Sequence, residues 1–71
     1  MTWFQRSMVV LRGIGHYLEE LDKIIDDLEE YKYKNSELVK RYNIRCDIIH
    51  SLYYTLPEDI RALIKELPRK L

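Results

Sequence analysis

Counted in heptads from Phe4, the chain places Phe4, Leu11, Leu18 and Ile25 at position a, and Ser7, Ile14, Leu21 and Leu28 at position d, with no break in phase. Position g adds Trp3, Val10, Tyr17, Ile24 and Tyr31, while b and c are almost wholly polar. A stripe three positions wide is that of a helix packed in a bundle, broader than the seam of a two-stranded coiled coil. This unbroken period commits the first part of the chain to helix and rules out a sheet there, which would alternate every second residue.

Thr2 followed three residues later by Gln5 is a capping box that starts this helix. Gly13 and Gly15 each cost the helix roughly 1 kcal/mol relative to alanine, yet the heptad phase runs through them. The spacing therefore predicts one helix over about residues 3–33, allowing a bend at the glycines. The rival reading starts a second helix at His16, with Glu19, Glu20 and Asp22 near its positive end. The glycines sit beside the stripe, as tolerated surface residues or as a notch for a closely approaching helix.

Asn35-Ser36-Glu37 has the character of a helix start, and a second helix is expected over about 36–55. Its face is Leu38, Val39, Tyr42, Cys46, Ile49, Leu52, Tyr53 and Leu56, widened by Ile44 and Ile48. Pro57 stops it and suits the opening turn of a third helix over 57–66, which buries Ile60, Leu63, Ile64 and Leu67 and ends before Pro68. The expected fold is all-α, a single domain over residues 1–71 with the long first helix antiparallel to the second and the short third. With 71 residues and 8.7 kDa, a thin two-layer slab would leave Leu18, Ile25 and Tyr31 wet. A homodimeric bundle is the expected remedy, with Phe4, Leu11, Leu18, Leu21, Ile25 and Leu28 at the interface.

Composition narrows the functional classes. Twelve basic residues balance twelve acidic ones, so net charge gives no general pull toward nucleic acid or anionic lipid. The longest uninterrupted apolar run is only residues 8–11, far below the ~20 that span a bilayer, and no leader with a small-residue cleavage site is legible. An intracellular setting is expected. Alanine occurs once, with Lys and Glu abundant, as in thermophile proteins or AT-rich genomes.

Charge is nonetheless segregated. Residues 19–30 hold seven acids against Lys23, a local charge of −6, and residues 31–46 hold five bases against Glu37, a local charge of +4. Solvated faces that aid solubility and fix orientation are the plain interpretation. As sites, Glu19, Glu20, Asp26, Asp27 and Glu30 would dock a basic protein partner. Lys32, Lys34, Lys40, Arg41 and Arg45, interleaved with Tyr31, Tyr33 and Tyr42, would suit phosphates and stacked bases.

No catalytic, cofactor or metal site is expected. His16 and His50 lie on different helices, and His16 with Glu19 and Glu20 is a combination helices produce often by chance. The pair Cys46 and His50 is the nearest approach to an activated nucleophile, but Cys46 falls on the apolar face and is expected to be a buried structural thiol. Phosphate-loop, dinucleotide, zinc-finger and catalytic-triad patterns are all missing from the sequence. Tyr17, Tyr31, Tyr42 and Tyr53 are expected on inner faces, leaving Tyr33 and Tyr54 free. Trp3 and Phe4 beside Arg6 and Arg12 suit core or dimer contact better than a membrane interface.

An amphipathic helix over residues 21–25, Glu37-Leu38 with Tyr42 four residues on, and Leu56-Pro57-Glu58 faintly resemble the Hha and YmoA modulators of nucleoid proteins. The interval between Leu38 and Pro57 is too short for that pattern, its Ala-Ala-Asp-His-Arg segment has no counterpart at Ile44 to Ile48, and no family is assigned. The expected function is a non-enzymatic homodimeric adaptor or assembly protein. The alternative is a small regulator touching nucleic acid through the basic junction.

Overall fold

Helix α1 (Trp3–Glu30) opens on the capping box, with Gln5 N–H donating to Thr2 Oγ1 at 3.2 Å and Thr2 N–H donating to Gln5 Oε1 at 3.0 Å. The computed structural model describes residues 2–71, except the side chain of Trp3, so the contact expected of that side chain lies outside the described residues. Among the described residues there is no strand. α1 is one helix straight through Gly13 and Gly15, and the rival start at His16 is not adopted.

α1 stops three residues earlier than the apolar period suggests. Tyr33 N–H donates to Leu28 O at 2.8 Å and Lys32 N–H to Glu29 O at 3.2 Å, the crossed pair of a Schellman cap. Such a cap requires left-handed backbone, and Lys32 and Tyr33 take it up at φ 54° and 60°. Tyr31 therefore sits at the helix end and is 56% exposed, not on an inner face. Glycine fits this conformation without a Cβ clash, so Lys32→Gly is expected to stabilise the fold by about 1 kcal/mol in chemical denaturation. An unchanged or lowered midpoint would count against the cap.

Asn35 caps α2 (Ser36–Tyr54), its Oδ1 accepting from Glu37 N–H and Leu38 N–H. α2 runs back antiparallel to α1. The ideal Cβ position of Gly13 lies 3.4 Å from Leu52 Cδ1, and Arg45 Nε lies 2.8 Å from Glu20 Oε2. Seven residues forward on α1 thus match seven back on α2. The molecule is a rod of 44 × 19 × 15 Å, its long axis close to the ~42 Å that a helix of α1's length spans.

The third element departs from expectation. α3 is four residues, Glu58–Arg61, followed by a turn and then by chain without regular secondary structure to Leu71. Of the expected helix over 57–66 only the first turn forms. Pro68 lacks an N–H, clashes with the carbonyl four residues earlier and pushes Leu67 out of helical backbone, which disfavours the last turn of that range, though its reach ends short of Arg61. Ile60, Ile64 and Leu67 pack half-buried against the core as expected, but Leu63 points outward at 78% exposure. The chain beyond lies along the outside of α2. His50 Nε2 is 2.9 Å from Pro68 O, Lys70 Nζ is 2.7 Å from Asp47 Oδ1, and Asn43 exchanges two hydrogen bonds with the backbone of Leu71. Those partners fit geometrically, because three residues of extended chain and seven of helix both cover about 10 Å.

The core consists of Ile14, Leu21, Ile24 and Leu28 of α1 with Tyr42, Cys46 and Ile49 of α2 and Leu56 after it. Burial raises the Cys46 thiol above its ordinary range, partly opposed by a hydrogen bond with the Tyr42 side chain. The Tyr42 hydroxyl is raised by burial and then by its proximity to Cys46. Both groups are neutral when protonated, so a raised folded pKa favours the protonated form in the folded state. Stability is fully present below the ordinary thiol pKa and is lost as pH climbs through the thiol and then the phenol range. Denaturation midpoints should fall from about pH 9 upward, and a Cys46→Ala variant should show a shallower fall from its own neutral-pH midpoint.

Candidate functional site

The three-position stripe of α1 splits into two rows. The d and g rows face α2 of the same chain: Ser7, Ile14, Leu21, Ile24 and Leu28 are buried and Val10 and Tyr17 half-buried. The a row, with e beside it, runs along the flank, where Phe4 is 63% exposed, Met8 39% and Leu18 40%, with Leu11 and Ile25 half-buried. Of the residues expected at a dimer contact, Leu21 and Leu28 are covered by their own chain. Phe4, Leu11, Leu18 and Ile25 form the row that it leaves partly or wholly open.

At its N-terminal end α1 outruns α2. The antiparallel register is used up near Leu11, and the preceding two turns meet only the corner at residues 55–57. Between them lies an apolar groove of about 660 Å³, lined by Arg6, Ser7, Val9, Val10, Leu52, Thr55, Leu56 and Pro57. Phe4, Met8 and Val9 flank a shallower one with Gln5 and Arg12. The apolar end of α1 was legible in the sequence; the groove was not, because it depends on where the corner after α2 returns.

The two charged patches meet each other. Glu20, from the acidic candidates, is bridged to Arg45, from the basic ones, and Arg45 also donates to Arg41 O at 3.2 Å. His16 Nε2 lies 3.3 Å from Glu20 Oε1 as well, and Arg41 Nε lies 3.6 Å from Glu37 Oε1. Glu19, Asp26, Asp27 and Glu30 remain on the exposed surface of α1. The basic set is thereby reduced to Lys32, Lys34 and Lys40 as exposed cations outside the described ion pairs.

Cys46 is fully buried, and the His50 ring nitrogen Nε2 is turned to the Pro68 carbonyl. The arrangement holds the segment after α3 rather than a thiolate. The row Asn43, Asp47 and His50, which anchors that segment, went unread in the sequence, although polar residues at these helical steps were its trace. Among the described residues no group of three His, Cys, Asp or Glu side chains is placed to hold a metal ion, and no helix is long and apolar enough to cross a membrane. No protein-family model matches the chain, and comparison with curated proteins and with solved structures finds no match.

Proposed function

We propose that this chain is a non-enzymatic helical interaction protein that acts as a homodimer through α1, an assembly or adaptor element. The observation behind this reading is the flank of α1: large apolar side chains recur at helical steps from Phe4 to Ile25, with Phe4 and Leu18 exposed and Leu11 and Ile25 half-buried at the edge of the chain's own core, while α2 covers the neighbouring rows. Scattered single exposed apolar residues are ordinary on a monomer, but a continuous row on a rigid helix is the geometry that a second helix fills. The acidic end of α1 supplies a docking surface for positive charge, with Glu19, Asp26, Asp27 and Glu30 exposed.

Sedimentation equilibrium at micromolar concentration tests the reading, with a mass near twice 8.7 kDa as the expected result. A monomer across that range would overturn it. The nucleic-acid alternative is less well supported, since two of its five cations are engaged within the chain. A mobility shift at low salt that disappears in Lys40→Glu with Arg41→Glu would favour that alternative instead.

A further inference from the structure

We infer that the open row of α1 pairs with the same row of a second copy running in the opposite direction, about a two-fold axis beside Gly15. The inference rests on the homodimer reading and specifies which surfaces meet, in what orientation and at what level.

Gly15 lies on this row between Leu11 and Leu18, and nothing lies within 4 Å of where its Cβ would be. Gly13 differs, since Leu52 of the same chain already approaches it. A helix interior pays about 1 kcal/mol for glycine, and at Gly15 no contact within the chain accounts for that cost. A helix backbone passing over this point would find room that an alanine methyl would narrow.

Charge sets the direction. Up to Leu18 the formal charges of α1 are Arg6 and Arg12, whereas from Glu19 to its end it carries seven acids and Lys23. Parallel pairing would lay acid on acid along half the contact. Antiparallel pairing lays Arg12 of each copy against the acids of the other and opposes the helix dipoles.

The flank itself is prepared for this. Among the described residues none of Arg12, Glu19, Asp22 and Asp26 takes part in an ion pair within the chain. On the other flank Glu20 is already matched with Arg45. A two-fold axis at Gly15 brings residue 12 to the level of the partner's residues 18 and 19. Arg12 then lies beside the partner's Glu19, and Leu11 beside the partner's Leu18.

Cysteine crosslinking decides the orientation, because the native Cys46 is fully buried and out of reach of reagent in the folded protein. Chains carrying Arg12→Cys and chains carrying Glu19→Cys are mixed and treated with a short bismaleimide, with sedimentation run in parallel on the unmodified protein. The expected result is a dimer whose crosslinked product is dominated by the mixed 12-to-19 species, with little product from Arg12→Cys alone. A dimer that crosslinks through 12-to-12, or through neither pair, overturns the antiparallel contact and leaves the homodimer standing. A monomer overturns both. Independently, Arg12→Glu should raise the dimer dissociation constant by about tenfold, since two ion pairs become two repulsions in a symmetric contact, and mixing it with Glu19→Arg should restore association. No loss, or a loss that this mixing fails to restore, would count against the pairing.

Discussion

Leu21→Asp is expected to leave the chain unfolded at 25 °C, with the helical far-UV signal largely lost in buffer alone. Leu21 is 4% exposed, at the centre of the α1 and α2 contact beside Ile24 and Leu28. Truncating a buried leucine costs about 2–5 kcal/mol, and a buried carboxylate without a partner adds its desolvation. A domain of this length holds only roughly 4–10 kcal/mol in reserve. A Leu21→Asp protein with wild-type helix content and a cooperative transition would contradict the core as described.

Leu18→Asp, three residues away, is expected to behave differently. Leu18 is 40% exposed on the open row, so a carboxylate there stays hydrated in the single chain and folding should survive. In the paired state it would sit against the partner's apolar row, and dissociation should be driven by a hundredfold or more, on the order of the 3 kcal/mol that burying a charge readily costs. Sedimentation should then give a folded monomer. Retained dimer would remove Leu18 from the contact, and an unfolded chain would show that the row is needed within the single molecule. Lys23→Asp, on the solvated back of α1, should change neither property.

The difference between these two leucines marks the limit of what the sequence makes legible. Apolar periodicity says that both lie on one stripe, and the boundaries of α2 and the capping box at Thr2 follow from local chemistry that acts within a few residues. It does not say which side of a broad stripe the return helix will cover. That depends on where the chain turns, and the turn rests on Lys32 and Tyr33 in a left-handed conformation that neither residue type advertises. The same turn leaves Tyr31 exposed at the helix end, off the inner face that its place in the period implies. The expected third helix runs longer than α3 because four apolar residues at helical steps fit a helix, and equally fit one short helix holding Ile60, a turn with Leu63 facing out, and irregular chain carrying Ile64 and Leu67. The pairing of Glu20 with Arg45 joins residues far apart in sequence, and patches counted by local charge could not reveal it.

The antiparallel register also orders how the molecule forms and opens. Layers built outward from the turn at residues 31–35 each close a loop only modestly longer than the one before, so the entropy of closure rises slowly and a hairpin of this kind zips quickly from that end. Leu28 beside the turn then belongs to the most protected part of the chain, and Glu20 with Arg45, then Gly13 with Leu52, follow in sequence. The last turns to close are those of residues 4–10, where α1 has outrun its neighbour, so their amides should exchange with solvent first. The same turns carry Phe4 and Met8, so slowed exchange at that end with rising protein concentration would report self-association without any label.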